Sequence, residues 1–449
     1  MARFSIMEPL FLLFILYCMM YCMNVIQTLG FSKLFSNLAT YLVAVLQWFP
    51  YWGPVVLGYV LWNSWIHYIQ ARWRANMKWI LLEIKVPKEI NKSPLAMEIM
   101  LNALNQTGKG NWWDWYTKGR VRDWFSLEIV SLEGNVKFFI RSAATYKNII
   151  EAQLYAQYPD IEIYEVPDYT RYVDYHGEGS AWDIVGRDYK LVKADPYPIK
   201  TYVDYGLDKE GIKEEYKIDP ITSIIEYLGS IGKGEQIWIQ ILVRAAEKRY
   251  KKKDGSLGDW KDEAKDIIAK LKEGEKKEGE DVGFKMLLKT RGELDTIAAV
   301  ERSVGKTGFD CGVRAMYLAK KENFNIGVHS RALGVLWGAF SSSNLNGFGL
   351  LNQTAGFDYP WQSYVTFEDY IFFPKFYFSK NKRISEERKI QFDAYKHRSW
   401  FYLPHKLKPF TLTTEELATI FHFPGGVSQT PTFGRIPSHK SEAPVNLPI

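Results

Sequence analysis

The stretch FSLEIVSLEGNVKFFIRSAATYKNIIEAQLYAQYPDIEIYEV, Phe125 to Val166, decides the fold. Its opening reads as a strand, and Glu133-Gly134-Asn135 turns the chain into a second strand, VKFFIRS, so the pair is a hairpin. TYKNIIEAQLYAQY repeats its apolar side chains with helical spacing until Tyr158-Pro159-Asp160 stops it, and IEIYEV is again a strand. Upstream, WILLEIKV from Trp79 alternates with period two. Ser93-Pro94 then opens the helix LAMEIMLNALNQ, with Ser93 as cap and Pro94 in the first turn. The order β-α-β-β-α-β predicts a split βαβ, or ferredoxin-like, unit over residues 78–166 with both helices on one face.

Residues 167–234 are rich in Tyr, Asp and Pro and read as a connector with a strand pair near 188–204 and a helix at 219–231. From Glu235 the pattern resumes: the strand EQIWIQILVRAA, the charged helix KDEAKDIIAKLK, and a Lys/Glu/Gly surface loop at 272–282. The helix FKMLLKTRGELDTIAAVERS, the strand FDCGVRAMYLAK and the helix HSRALGVLWGAFSS follow. Residues 235–346 therefore predict a second ferredoxin-like unit. Residues 347–449 read as an irregular extension. It contains FFPKFYF, a basic helix near 383–399, and a capping box, Thr413 with Glu416, that starts TTEELATIFHF.

The N-terminus reads differently. Pro9 to Gly30 carries no charge and is long enough for a membrane helix, which needs about 20 residues. A signal peptide would be shorter and end in small residues, and Tyr17 disfavours a lipid anchor on Cys18. Pro50 and Pro54 interrupt the next uncharged stretch, so it splits into a short helix near Leu38–Trp48 and a second span, Trp52–Ile69. Arg72, Arg74 and Lys78 follow at once, which places the bulk of the chain on the cytoplasmic side. The expected fold class is thus α+β: a two-helix transmembrane hairpin (1–77), two ferredoxin-like units, and an irregular tail.

Across 449 residues, 47% are apolar and 24% charged, which excludes a mainly disordered chain. A net charge of +6 is too weak to name a nucleic-acid partner, and three cysteines cannot build a disulfide framework. Gly305-Lys306-Thr307 resembles the end of a phosphate-binding loop, but Val300 stands where the first glycine belongs and the motif runs helix-to-strand. Gly305 reads as a helix C-cap instead. Cys311 reads as a core thiol, Glu415-Glu416 as a helix start, and Cys18, Cys22 and His67 as packing residues. Lys248, Arg249, Lys251, Lys252 and Lys253 form a basic cluster, but acids at 254, 259, 262 and 263 follow. The loop Trp112-Trp113-Asp114-Trp115-Tyr116 could stack bases, and fits better as a surface for membrane, tail or partner protein. No catalytic, cofactor-binding or metal residues are expected.

Three passages carry a resemblance: WILLEIKVPKEINKSPLAMEIMLNAL, the Phe125–Val166 stretch, and LTTEELATIFHFPGGVSQTPTFGRIPSHKSEAPVNLP. Joined by IWIQILVRAA and AAVERSVGKTGFDCGVRAMYLA, they resemble the N-terminal membrane-anchored, non-motor region of conjugative type IV secretion ATPases of Candidate Phyla Radiation bacteria. In that family the region accompanies a RecA-like motor. The chain reaches Ile449 without one, so the motor's activity is not carried over. The resemblance implies a non-enzymatic inner-membrane scaffold that self-associates, contacts lipid and docks a separate motor ATPase. Direct DNA binding is the alternative, and a stand-alone membrane enzyme the poorest fit.

Overall fold

The computed structural model describes residues 49–425 together with 43 and 47, apart from 88–91, 109, 178, 210–217, 274–289, 354–379 and 404. It divides into two units, 1–72 and 73–449. In the first, the helix α1 (Phe49–Asn76) begins. Pro50 lies in its first turn, where a missing amide leaves no bond unmade, and the helix also continues through Pro54. Many of its apolar side chains are exposed: Tyr51 is 75% and Leu61 73% exposed, with Val55, Tyr59, Trp62 and Trp65 also exposed, whereas Ile69 is buried.

Among the described residues, no helix is long and apolar enough to cross a membrane. This corrects the expected transmembrane hairpin. Within Trp52–Ile69, Asn63, Ser64 and His67 break up the aliphatic run, and tyrosine and tryptophan replace much of the rest. The expected first span, Pro9–Gly30, lies outside the described residues, as do Cys18 and Cys22.

The second unit runs β1 (Trp79–Lys85), α2 (Leu95–Asn102), β2 (Phe125–Leu132), β3 (Asn135–Ala143), α3 (Lys147–Gln157) and β4 (Glu162–Glu165). It continues with β5 (Trp182–Leu191), α4 (Pro220–Gly229), β6 (Glu235–Ala245), the small hairpin β7 (Tyr250–Lys251) and β8 (Leu257–Gly258), and α5 (Trp260–Glu273). Then come α6 (Arg291–Val304), β9 (Gly308–Lys320), α7 (Ile326–Val335), β10 (Phe348–Gln353), α8 (Lys380–Lys396), β11 (Phe410–Thr413) and α9 (Thr414–Ile420).

Nine strands form one sheet, in the order β10-β5-β9-β6-β2-β3-β1-β4, with β11 also against β9. This corrects the expectation of two ferredoxin-like units. β2 does not end a unit: it pairs antiparallel with β6, from Phe125↔Val243 to Leu132↔Gln236, so no boundary separates the halves. An open edge at β2 would expose a row of unpaired amides and carbonyls, and β6 covers it. β5, from the stretch read as a connector, pairs with both β9 and β10. The tail is not irregular either. β11 takes the Gly308–Cys311 end of β9 while β5 takes Val313–Lys320, so the two strands lie end to end along one long neighbour. Parts of the tail, including FFPKFYF at 372–378 and the end from 426, lie outside the described residues, as does most of the expected 272–282 loop.

Both faces of the sheet are covered. One buries an apolar layer that includes Leu127 and Ile129 of β2, Ile239 and Ile241 of β6, and Val313 and Ala315 of β9, packed with Met97 and Met100 of α2 and Leu154 of α3. The other packs Leu81, Val130, Trp238 and Met316 with Phe392 and Tyr395 of α8. Close approach on this second face depends on Gly312: a Cβ there would meet Trp400 Cδ2 at 2.1 Å. Gly312→Ala is therefore expected to destabilise the fold by about 1–3 kcal/mol through overpacking. Thermal melting checks this, and an unchanged midpoint would show that Trp400 can move aside.

Candidate functional site

Strand alternation sets the chemistry of the second face. A row runs straight across four strands: Asp188 opposite Arg314, Arg314 opposite Gln240, and Gln240 opposite Glu128. Four residues along the same strands, Arg244 faces Asp310. Alternation alone would put these residues in water. They are all buried, because α8 and the segment that follows it lie over them.

The partners come from distant parts of the chain. Arg398 Nε reaches Glu128 Oε1 at 2.9 Å and its Nη1 reaches Asp168. Ser126 Oγ donates to Glu128 at 2.6 Å and Tyr169 Oη donates at 2.8 Å, while the Tyr169 and Tyr395 hydroxyls lie 2.8 Å apart. Arg314 Nη2 donates to the Ser399 carbonyl, and Trp400 lies over its guanidinium at 5.0 Å. Arg244 and Arg249 hold Asp310 at 3.0 and 2.9 Å. Arg398 adopts φ 49°, left-handed backbone that is uncommon for a side-chain-bearing residue, and the ion pairs hold it there. Burial tends to raise the Asp168 carboxyl, but the Arg398 guanidinium holds it below its usual range. Arg141 falls to about 10 through burial and its proximity to Arg398.

A second polar cluster lies where α9 meets α2. Lys306 Nζ is 2.7 Å from Glu98 Oε1 and 3.8 Å from Glu415 Oε2. Arg302 bridges Asp204 and Glu415 at 3.1 Å each. The Thr414 amide donates to the Thr307 carbonyl. The GKT tripeptide thus fastens the C-terminal segment to the sheet, and Gly305 is the C-cap of α6. The capping box of Thr413 and Glu416 forms as the sequence indicates. Cys311 is buried on the apolar face, where burial pushes its thiol well up. His67 lies on α1, exposed. Among the described residues no group of three or more His, Cys, Asp and Glu side chains is placed to hold a metal.

The basic cluster is divided. Arg249 is engaged by Asp310, and Lys252 by Asp262 at 2.9 Å, whereas Lys248, Lys251 and Lys253 are exposed. The aromatic loop sets two large apolar side chains in solvent side by side: Trp112 is 70% and Trp113 64% exposed, while Trp115 and Tyr116 are half-buried. The ionic row was not foreseen from sequence. Its only signal is an acid or arginine in mid-strand between apolar residues, as at Glu128 and Arg314, and nothing local names the partner.

A family model described as Domain of unknown function (DUF8128) matches residues 70–334. No curated protein and no solved structure matches the chain.

Two measurements follow from the buried charges. Arg398→Met leaves Glu128 without a counter-ion and is expected to lower unfolding free energy by about 3–5 kcal/mol in urea titration. Adding Glu128→Gln should restore part of that loss, and a null effect of the single change would refute the pairing. Burial raises Glu416 from 4.5 to about 7, against the hydrogen bonds it accepts from Thr413 and Ile199. The folded chain then holds a proton that the unfolded chain releases above 4.5. Stability from this group is present below that value and is lost as pH climbs to about 7, by about 3 kcal/mol at most. Glu416→Gln should flatten this part of the pH–stability curve; an unaltered slope would assign it to other acids.

Proposed function

Since the chain belongs to the family described as Domain of unknown function (DUF8128), which specifies no activity, we propose a role from its own residues: a non-enzymatic assembly component of a type IV secretion or conjugation-like system. In this reading it works at the cytoplasmic side of the inner membrane, associates with copies of itself and docks a separate motor ATPase. The resemblance of the quoted passages supplies the class of machine.

One observation carries the non-enzymatic part. Among the described residues, the groups with the strongest claim to chemistry are engaged by ion pairs: Lys306 by Glu98, Glu128 and Asp168 by Arg398, and Asp310 by two arginines. Cys311 is shut in the core. A nucleophile or general base must be free to reach its substrate; Glu128 and Asp310 are fully buried, and Lys306 and Asp168, which keep part of their surface, are held in ion pairs. What the chain presents outward is apolar and aromatic, on α1 and at Trp112 and Trp113, as expected of a protein that meets other surfaces. Direct DNA contact is the weaker reading, because Arg249 and Lys252 are tied to acids and only part of the basic cluster is left to meet phosphates.

Affinity purification of the full chain from its native membranes, with chemical cross-linking, tests the proposal. A RecA-like motor ATPase is expected among the cross-linked proteins. Recovery of the chain with lipid but with no ATPase in any cross-linked species would reject the docking role.

A further inference from the structure

One end of the sheet gathers the starts of β1, β2 and β9 and the ends of β3 and β6: Trp79 faces Ala143, Phe125 faces Val243, and Phe309 faces Ala245. Aromatic rings crowd this end. Trp79 lies 4.7 Å from Trp124, and Trp124 lies 5.5 Å from Tyr402. The last turn of α1 joins them: Trp73 packs against the cluster of Trp124, Trp400 and Phe401, and Arg74 sits 5.4 Å over the Tyr402 ring. The loop that carries Trp112 and Trp113 re-enters the fold here, at Val121, which is buried in the same cluster.

The loop is held in shape. The Trp115 amide donates to the Asn111 carbonyl, Thr117 Oγ1 donates to the Trp113 carbonyl at 2.6 Å, and Lys118 Nζ lies 2.7 Å from Asp114. Gly110 and Gly119 close its two ends at φ 75° and 68°, values that favour glycine. The indoles therefore protrude from a rigid base and lose little conformational freedom on docking.

Cationic side chains flank this end along the chain, with the exposed Asp254 directly after them. Lys78 precedes β1, and Lys248, Lys251 and Lys253 follow β6; all four are exposed. Arg122 Nη1 donates to the Ala245 and Ala246 carbonyls, which ties the lysine-bearing stretch to the base of the aromatic loop. The nearby Glu247 is engaged by Arg244 at 3.1 Å.

We infer that this end of the sheet docks on an anionic lipid bilayer, with Trp112 and Trp113 at headgroup depth and the lysines against lipid phosphates. Tryptophan rings prefer that depth because one edge is apolar and the other carries an N–H. Basic residues near an anionic surface add to the attraction. The ring geometry disfavours bases as the occupant. Trp112 meets Trp113 at 44° and Tyr116 at 53°, and Trp115 meets Tyr116 at 85°, so the rings are tilted against one another and form no parallel platform. This inference rests on the membrane-side reading above, and it can fail while that reading stands.

The test uses the full chain with Cys18→Ser, Cys22→Ser and Trp113→Cys, labelled at the new thiol with an environment-sensitive fluorophore. Cys311 is buried and stays unlabelled. Vesicles of phosphatidylcholine, with and without phosphatidylglycerol, are the probes, and oligo(dT) is the control. Blue-shifted emission on anionic vesicles and quenching by headgroup-labelled lipid are expected. Trp112→Ala with Trp113→Ala should weaken vesicle binding by roughly tenfold. Flotation with vesicles but no change in emission would overturn the docking face alone. Failure to float would overturn the membrane reading with it. A shift with oligo(dT) and none with vesicles would assign the loop to nucleic acid.

Discussion

Glu128 lies near the middle of a nine-stranded sheet, fully buried, and an ionised carboxylate taken out of water loses several kcal/mol unless it is paired and hydrogen-bonded. The arrangement of the second face follows from that constraint. Arg398 must sit over Glu128, so the chain after α8 must turn down onto the sheet. Ser126, Tyr169 and Gln240 complete the carboxylate's hydrogen bonds. Asp168 takes the other side of the same guanidinium. Removing any one member would leave the others uncompensated, which makes the layer cooperative.

The two faces hold the sheet in different ways. The apolar face gains from area removed from water and tolerates small rearrangements. The charged face is directional. Asp188, Arg314, Gln240 and Glu128 stand in one register row, and a slip of one residue would turn each of them to the opposite face. The row thus fixes how β5, β9, β6 and β2 align, and through β2 and β6 it makes the two halves one body.

Local signals were legible in the sequence. The Glu133-Gly134 hairpin, the helix near 219–231, the Thr413–Glu416 box and the Gly305 cap could all be read because their causes lie within a few residues. The pairing of β2 with β6 could not, since antiparallel partners far apart in sequence carry no local mark. β5 was read only in part, as one strand of a pair near 188–204, because its partners β9 and β10 lie far downstream. The span expected over Trp52–Ile69 failed because uncharged is not the same as aliphatic: tyrosine, tryptophan, asparagine and histidine fill the segment. Of the outward surface, the tryptophan loop could be read, but the lysines and aromatic cluster it joins become neighbours only through the sheet.

Arg398 follows Glu128 by 270 positions. On a ribosome adding about 5–20 residues per second, the acid therefore emerges roughly 15–55 s before its counter-ion exists. Throughout that interval the half of the sheet already made has a hydrated face that cannot close, and the Gly308 end of β9 waits as well for β11. Completion of this body waits for residues 398–413, synthesised long after the strands they close.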